Sequence, residues 1–232
     1  MATDVTEREG RPGWRANRWG VLLEVGLVAA LLLADRRQLV PVSNTPFLLA
    51  LGWVSLRLRG SSWRDVGLPA RREWPHAIAV GTAAGLAIEA FALLVTEPSI
   101  AWLTGTHPDV SGLRPVIGSL SYLAIALALN WTLAAFGEEL AWRGYLMPRV
   151  ADLGRGSRLS WGVSLLVVSL LFGIAHGESQ GLAGVAQESW NGLLLGGLYL
   201  ACGRRLAYPI VAHGVSNTLA LVLIYLGRYP GL

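Results

Sequence analysis

The sequence predicts an all-α fold, a polytopic transmembrane helical bundle of about seven or eight helices. Three observations predict it. Of the 232 residues, 53% are hydrophobic and only 15% charged, whereas a soluble domain carries about 25% charged residues. Mean hydropathy is +0.48, far more apolar surface than a soluble core of this size can use and what a bilayer requires. The basic residues, all of them Arg, sit beside the apolar runs, as at Arg18, Arg57, Arg59, Arg71, Arg72, Arg204 and Arg205. That placement sets the topology of membrane proteins.

The elements follow in order. Residues 1–18 are polar and rich in Arg, Glu and Gly, and are expected to be a disordered cytoplasmic segment. Val21 to Ala34 is the first apolar run. A basic segment before a short apolar stretch is also the pattern of a secretory signal, but the many later runs favour a retained span. Further runs are Phe47 to Leu58, Ile78 to Val95, Val116 to Phe136, Leu159 to Ala175, Leu182 to Ala201, and Ala207 to Leu226. Residues 19–227 are thus expected to form a single transmembrane domain. Leu140 to Val150 reads as a partly interfacial amphipathic continuation. Gly81, Gly85, Gly192, Gly196 and Gly197 fall inside runs, where small residues let helices approach. Trp residues near run ends, such as Trp19, Trp63, Trp74 and Trp102, read as interface anchors.

Counting Arg by segment puts the N-terminus in the cytoplasm. The stretches before the first run, from Arg57 to Arg72, from Arg143 to Arg158, and at Arg204–Arg205 are rich in Arg, whereas Gly177 to Gly192 has none. The result is a multi-pass protein of the cell membrane whose lipid partner is the bilayer. A net charge of +4 distributed this way is a topology signal and excludes nucleic acid as a partner. The lone cysteine, Cys202, excludes an intrachain disulfide and a CxxC site, and reads as a small apolar packing residue.

Charged and amide groups inside membrane spans are costly, so those present are informative. Glu138 and Glu139 close an apolar run. On an α-helix Glu139 and Arg143 are four apart and pair, while Glu138 points about 100° away. The bland reading is a helix end with interfacial salt bridges, which explains one acid well and two poorly. His176 ends another run with Phe172 on its face, where a capping role is the plain alternative. His213 and Asn217 are four apart in the last run, and either make a buried helix–helix contact or form a donor pair for an oxyanion. Asn130, eight residues before Glu138, is placed on the same face. Glu24 and Glu89 are lone acids expected to pair with Arg or line a cavity, and Glu178 and Glu188 look like loop acids. The chemistry suited to two Glu, two His and one Asn converging from three helices is a Glu-activated water attacking a carbonyl. The same Glu and His side chains are ordinary zinc ligands, though no H-E-x-x-H occurs.

At Glu138-Glu139-x-x-x-Arg143, Phe172-x-x-x-His176 and His213-x-x-x-Asn217 the chain resembles the CAAX prenyl endopeptidase and bacteriocin-processing (CPBP, or Abi) intramembrane proteases. The resemblance covers about residues 60–227, with a catalytic core at about 115–225, and Asp65-Val66-Gly67-Leu68 looks like the element that precedes such a core. It implies that Glu138 activates water, that Glu139 assists or is held by Arg143, that His176 positions the water or a metal, and that His213 and Asn217 form an oxyanion site. It further implies a membrane peptide or protein substrate, prenylated or carrying a leader peptide. The cofactor is either a divalent metal such as zinc, held by Glu138, Glu139, His176 and His213, or none. A non-proteolytic scaffold or immunity partner on the same fold is the alternative function. One conflict stands within these expectations. Arg counting places His176 at the opposite membrane face from Glu138 and His213, whereas the motifs require the three to meet.

Overall fold

The computed structural model describes residues 17–40, 43–68, 70 and 74–232, and every regular element among them is helical. The disorder expected before residue 19 falls mainly on residues 1–16, outside those described, as do Arg71 and Arg72. Asn17 and Arg18 belong to the fold: the Asn17 side chain accepts from the Trp19 backbone N–H at 3.1 Å and caps the first helix, satisfying one of its orphan donors.

Among the described residues seven helices follow one another. They are α1 (Arg18–Arg36), α2 (Thr45–Leu58), α3 (Trp74–Thr104), α4 (Leu120–Gly154), α5 (158–180), α6 (182–201) and α7 (Ala207–Tyr225). Four stretches are long and apolar enough to cross a membrane: α3, α4, the α5–α6 stretch and α7. α2 is a shorter apolar helix. Large apolar side chains exposed on α1, α3 and α5, among them Leu23, Leu94, Leu166 and Leu170, form the surface that acyl chains would cover.

α5 and α6 are antiparallel. Along one continuous helix, Ser169 and Gly192 would lie about 34 Å apart. Instead a Cβ on Gly192 would stand 3.0 Å from Ser169 Cα, and Gly173 abuts Val185 and Ser189. The reversal occurs at Gly181, whose φ 69° and ψ −169° lie in a region open essentially only to glycine. Gly177 to Gly192, expected to be a loop, is therefore helical on both sides of one residue.

α4 also differs from expectation. The run ending at Phe136 continues without a break through Leu140–Leu146 to Gly154, with π-helical turns at Asn130–Glu138 and Leu140–Leu146. Glu138 and Glu139 thus lie in mid-helix, which removes the helix-end reading. The segment Leu140 to Val150 is buried throughout, apart from half-buried Pro148, and is not an interfacial amphipathic helix. Arg149 is buried against Glu24, with Nε to Oε2 and Nη2 to Oε1 both at 3.0 Å, and Ser55 Oγ donates to Glu24 at 2.7 Å. Arg143 and Arg149 are therefore ion-pair partners inside the bundle rather than loop charges, which weakens the Arg count for that segment.

α3 and α7 run parallel and in close contact at Gly81 and Gly85, as the small-residue spacing predicts. A Cβ on Gly85 would lie 2.9 Å from Val215 Cβ and 3.1 Å from the Ala212 carbonyl carbon, whereas Gly197 faces open space. Gly85→Ala is expected to lower stability by about 1–3 kcal/mol through overpacking against backbone. Gly197→Ala should hold or slightly raise it through helix propensity. Unfolding of the detergent-solubilised protein compares the two.

The Asp65–Leu68 segment is an anchor. The Leu206 N–H donates to Gly67 O at 2.8 Å, Tyr199 Oη donates to Val66 O at 3.2 Å, and a Cβ on Gly67 (φ 107°) would collide with the Arg204 carbonyl. It fastens the α2–α3 connection to the α6–α7 turn.

Candidate active site

The α4–α5 hairpin brings the first two motifs to one level. Its turn lies between Gly154 and Arg158. Counting back, Glu138 is about 24 Å up α4, and counting forward, His176 is about 27 Å up α5, at 1.5 Å per residue. The pairing is direct: Ser164 Oγ donates to Met147 O at 2.6 Å, and the Trp142 and Phe172 rings meet edge-on at 5.6 Å. His176 and Glu138 line the same cavity of about 340 Å³, together with Asp35, Asn44 and Trp142. The conflict over His176 arose from treating Arg143 to Arg158 as a loop. Once α4 extends to Gly154, both residues sit at equal depth.

Glu139 is fully buried, with its Oε2 unpartnered among the described residues. Its Oε1 accepts from Arg143 Nη1 at 2.8 Å and faces His213 Nδ1 at 2.9 Å. Arg143 Nη2 also donates to Gly192 O at 3.1 Å, so one guanidinium joins α4 to α6. Phe172 is the apolar hub. Arg143 Cζ stands 4.7 Å from its ring centroid, and its ring lies 4.6 Å from that of His176 and 6.3 Å from that of His213.

The hydrogen bonds set the tautomers. His176 Nδ1 lies 2.8 Å from Phe172 O. A carbonyl only accepts, so Nδ1 carries the proton and Nε2 is the nitrogen left for the cavity. His213 Nδ1 faces a carboxylate in the same way and leaves its Nε2. Half-buried Glu138 keeps Oε2 without a hydrogen-bond partner among the described residues. Of the two acids, only Glu138 lines the cavity.

Asn217 does not join Glu138 and His176. It lines a second cavity of about 320 Å³ with Glu89, Asn130, Gln187, Glu188 and Asn191. The two cavities share no lining residue, and Glu139, Arg143 and His213 line neither. Asn130, expected beside Glu138, falls in this second cavity because the intervening π-helical turns advance less angle per residue than an α-helix. Glu24 pairs with Arg as expected, and Glu89 lines a cavity as expected. Glu188 is no loop acid. It lies within α6, accepts from Asn191 Nδ2 at 3.2 Å, and interacts electrostatically with both Glu138 and His176. Its signal was present in the sequence, since it is an acid seven residues into an apolar run.

The four candidate metal ligands, Glu138, Glu139, His176 and His213, do not all line one cavity. Among the described residues no three His, Cys, Asp or Glu side chains are grouped to hold a metal ion. Glu139 Oε1 faces His213 Nδ1 and Arg143 Nη1, which leaves Glu139 Oε2 and His213 Nε2 outside those contacts.

Residues 120–219, which carry all three motifs and the helices α4 to α7 that position them, match the family model described as Rce1-like, type II CAAX prenyl endopeptidase. No curated protein and no solved structure matches the chain. That family is one of proteases, and four stretches of this chain are long and apolar enough to cross a membrane. Over residues 120–219 the chain is similar to the Rce1-like family of type II CAAX prenyl endopeptidases.

Proposed function

We propose that the protein is an intramembrane endopeptidase in which Glu138 is the general base toward water. One observation carries this reading: Glu138 and His176 line one cavity with an unpartnered carboxylate oxygen and a free Nε2, while the neighbouring Glu139 lies outside that cavity with its Oε1 against Arg143 and His213. A water between them gives its proton to Glu138 as its oxygen bonds to the scissile carbonyl carbon. The carbonyl π pair moves onto oxygen. His176, oriented by Phe172 O, accepts a hydrogen bond from that water through Nε2 and aligns it. The oxyanion is assigned to His213, whose Nδ1 faces Glu139, and to the Asn217 amide, which a substrate spanning the two cavities would reach. Collapse breaks the C–N bond, and Glu138 returns its proton to the leaving amine. No step is routed through a metal.

Residues 19–227 act in this proposal as one transmembrane domain, and the N-terminus is cytoplasmic. The substrate is a membrane-associated peptide, prenylated or carrying a leader segment, whose bond reaches the level of Glu138 within the bundle.

The test is reconstitution of the full chain in liposomes with membrane-embedded candidate peptides, followed by mass spectrometry of the products. Cleavage by the wild type is expected. His176→Ala should lower kcat about 10²–10⁴-fold, the usual share of a positioned acid–base group. Cleavage at the wild-type rate in that variant rejects the mechanism.

A further inference from the structure

The second cavity has a composition that the reaction does not explain. Its polar wall comes from five helices, with Glu89 on α3, Asn130 on α4, Gln180 on α5, Gln187, Glu188 and Asn191 on α6, and Asn217 on α7, and the remainder is largely apolar. Among the described residues no Arg or His lines it. Two deeply buried groups left over on this wall are acceptors. Glu89 is 5% exposed; its Oε2 accepts from Ser216 Oγ at 2.7 Å, and its Oε1 has no partner. Asn130 is also 5% exposed. Its Nδ2 donates to Gly214 O at 3.0 Å and to Thr218 Oγ1 at 3.3 Å, which fixes the amide orientation and leaves Oδ1 unpartnered.

Buried acceptors without donors are costly. A ligand that brings several N–H donors and a positive charge satisfies them through charge-assisted bonds. A metal ion is the poorer match, since no three acidic or His groups are gathered among the described residues. An alkyl guanidinium or alkyl ammonium suits both the acceptor wall and the apolar walls, which take its methylene stem. Glu188 ties the cavity to the reacting centre, because its charge acts on Glu89 on one side and on Glu138 and His176 on the other.

We propose that this cavity is a specificity subsite that holds an arginine or lysine side chain of the substrate beside the peptide bond to be cut. The proposal rests on the endopeptidase reading, so its test separates the two. Full-length protein in detergent is titrated with n-hexylguanidinium and with its neutral isostere n-hexylurea, by calorimetry and by thermal shift. The guanidinium should bind at least about tenfold more tightly, equivalent to about 1.4 kcal/mol. That preference should disappear in Glu89→Gln and in Glu188→Gln, each compared within itself so that a change in overall stability cancels. Equal binding of the two probes by the wild type, or an unchanged preference in both variants, overturns the subsite. Peptide cleavage without probe discrimination overturns the subsite alone. Discrimination without cleavage of any peptide supports the cation site and overturns the peptidase reading.

Discussion

Glu138→Gln is expected to abolish peptide cleavage while the protein stays folded, and Glu139→Gln is expected to lose cleavage and stability together. The two acids are adjacent in sequence and opposite in circumstance. Glu138 lines a cavity and has a carboxylate oxygen with no partner, so replacing it with an isosteric amide removes a base and breaks nothing. The loss in kcat should be about 10²–10⁴-fold, with the melting temperature within a degree or two of wild type. Glu139 is 0% exposed and touches both Arg143 and His213. Neutralising it leaves a 1% exposed guanidinium without its counter-charge, and breaking a buried pair from one side costs about 3–5 kcal/mol. Gln still offers one acceptor oxygen, so the lower end of that range applies. Activity of refolded Glu139→Gln should also fall, because His213 loses the group that sets its tautomer. Parallel kinetics and thermal unfolding of the two variants separate the roles. Equal effects on kcat and on unfolding in both would reject the division between base and support.

The second large effect lies far from the chemistry. Arg149→Met is expected to destabilise the bundle by about 3–5 kcal/mol. Arg149 is fully buried and holds Glu24 of α1 through two bonds at 3.0 Å, with Asp152 Oδ2 at 3.3 Å from its Nη1. Removing the cation strands an acid that is 4% exposed. The double variant Glu24→Gln with Arg149→Met should recover much of the loss, because a matched neutral pair no longer buries an uncompensated charge. A double-mutant cycle on unfolding free energy measures the coupling, expected to be about 1–3 kcal/mol. Arg149 sits 11 residues past Glu138, about 16 Å along the helix. The surviving folded fraction should therefore cleave with wild-type kcat. A strictly additive cycle would show that the pair contributes nothing beyond its separate members.

The fold class was legible because it depends on composition and on the length of apolar runs, both local properties of the chain. The runs at Leu159 to Ala175 and Leu182 to Ala201 correspond to α5 and α6, although the sharp reversal at Gly181 hid in an interval that looked like a loop. The partners Glu139–Arg143 were legible because both lie on one helix, four residues apart. Glu188 was misread although it lay inside an expected span, because its neighbours Glu178, Ser179 and Gln180 suggested a polar loop. Arg143 and Arg149 were counted as topology signals, since nothing in the local sequence distinguishes a solvated Arg from one whose counter-charge is distant, as Glu24 is from Arg149.

What the sequence by itself determined is the kind of molecule and the inventory of its candidate site: a chain of apolar helices that carry Glu138, Glu139, Arg143, His176, His213 and Asn217. Only the tertiary structure decided how that inventory is divided. The unbroken course of α4 to Gly154 brings His176 level with Glu138. The Glu139–His213 contact withdraws one acid from the cavity. The π-helical turns carry Asn130 into a second cavity, where Asn217 also lies. Each of these depends on which faces of separate helices meet, and spacing along a single helix specifies only the face, not the partner.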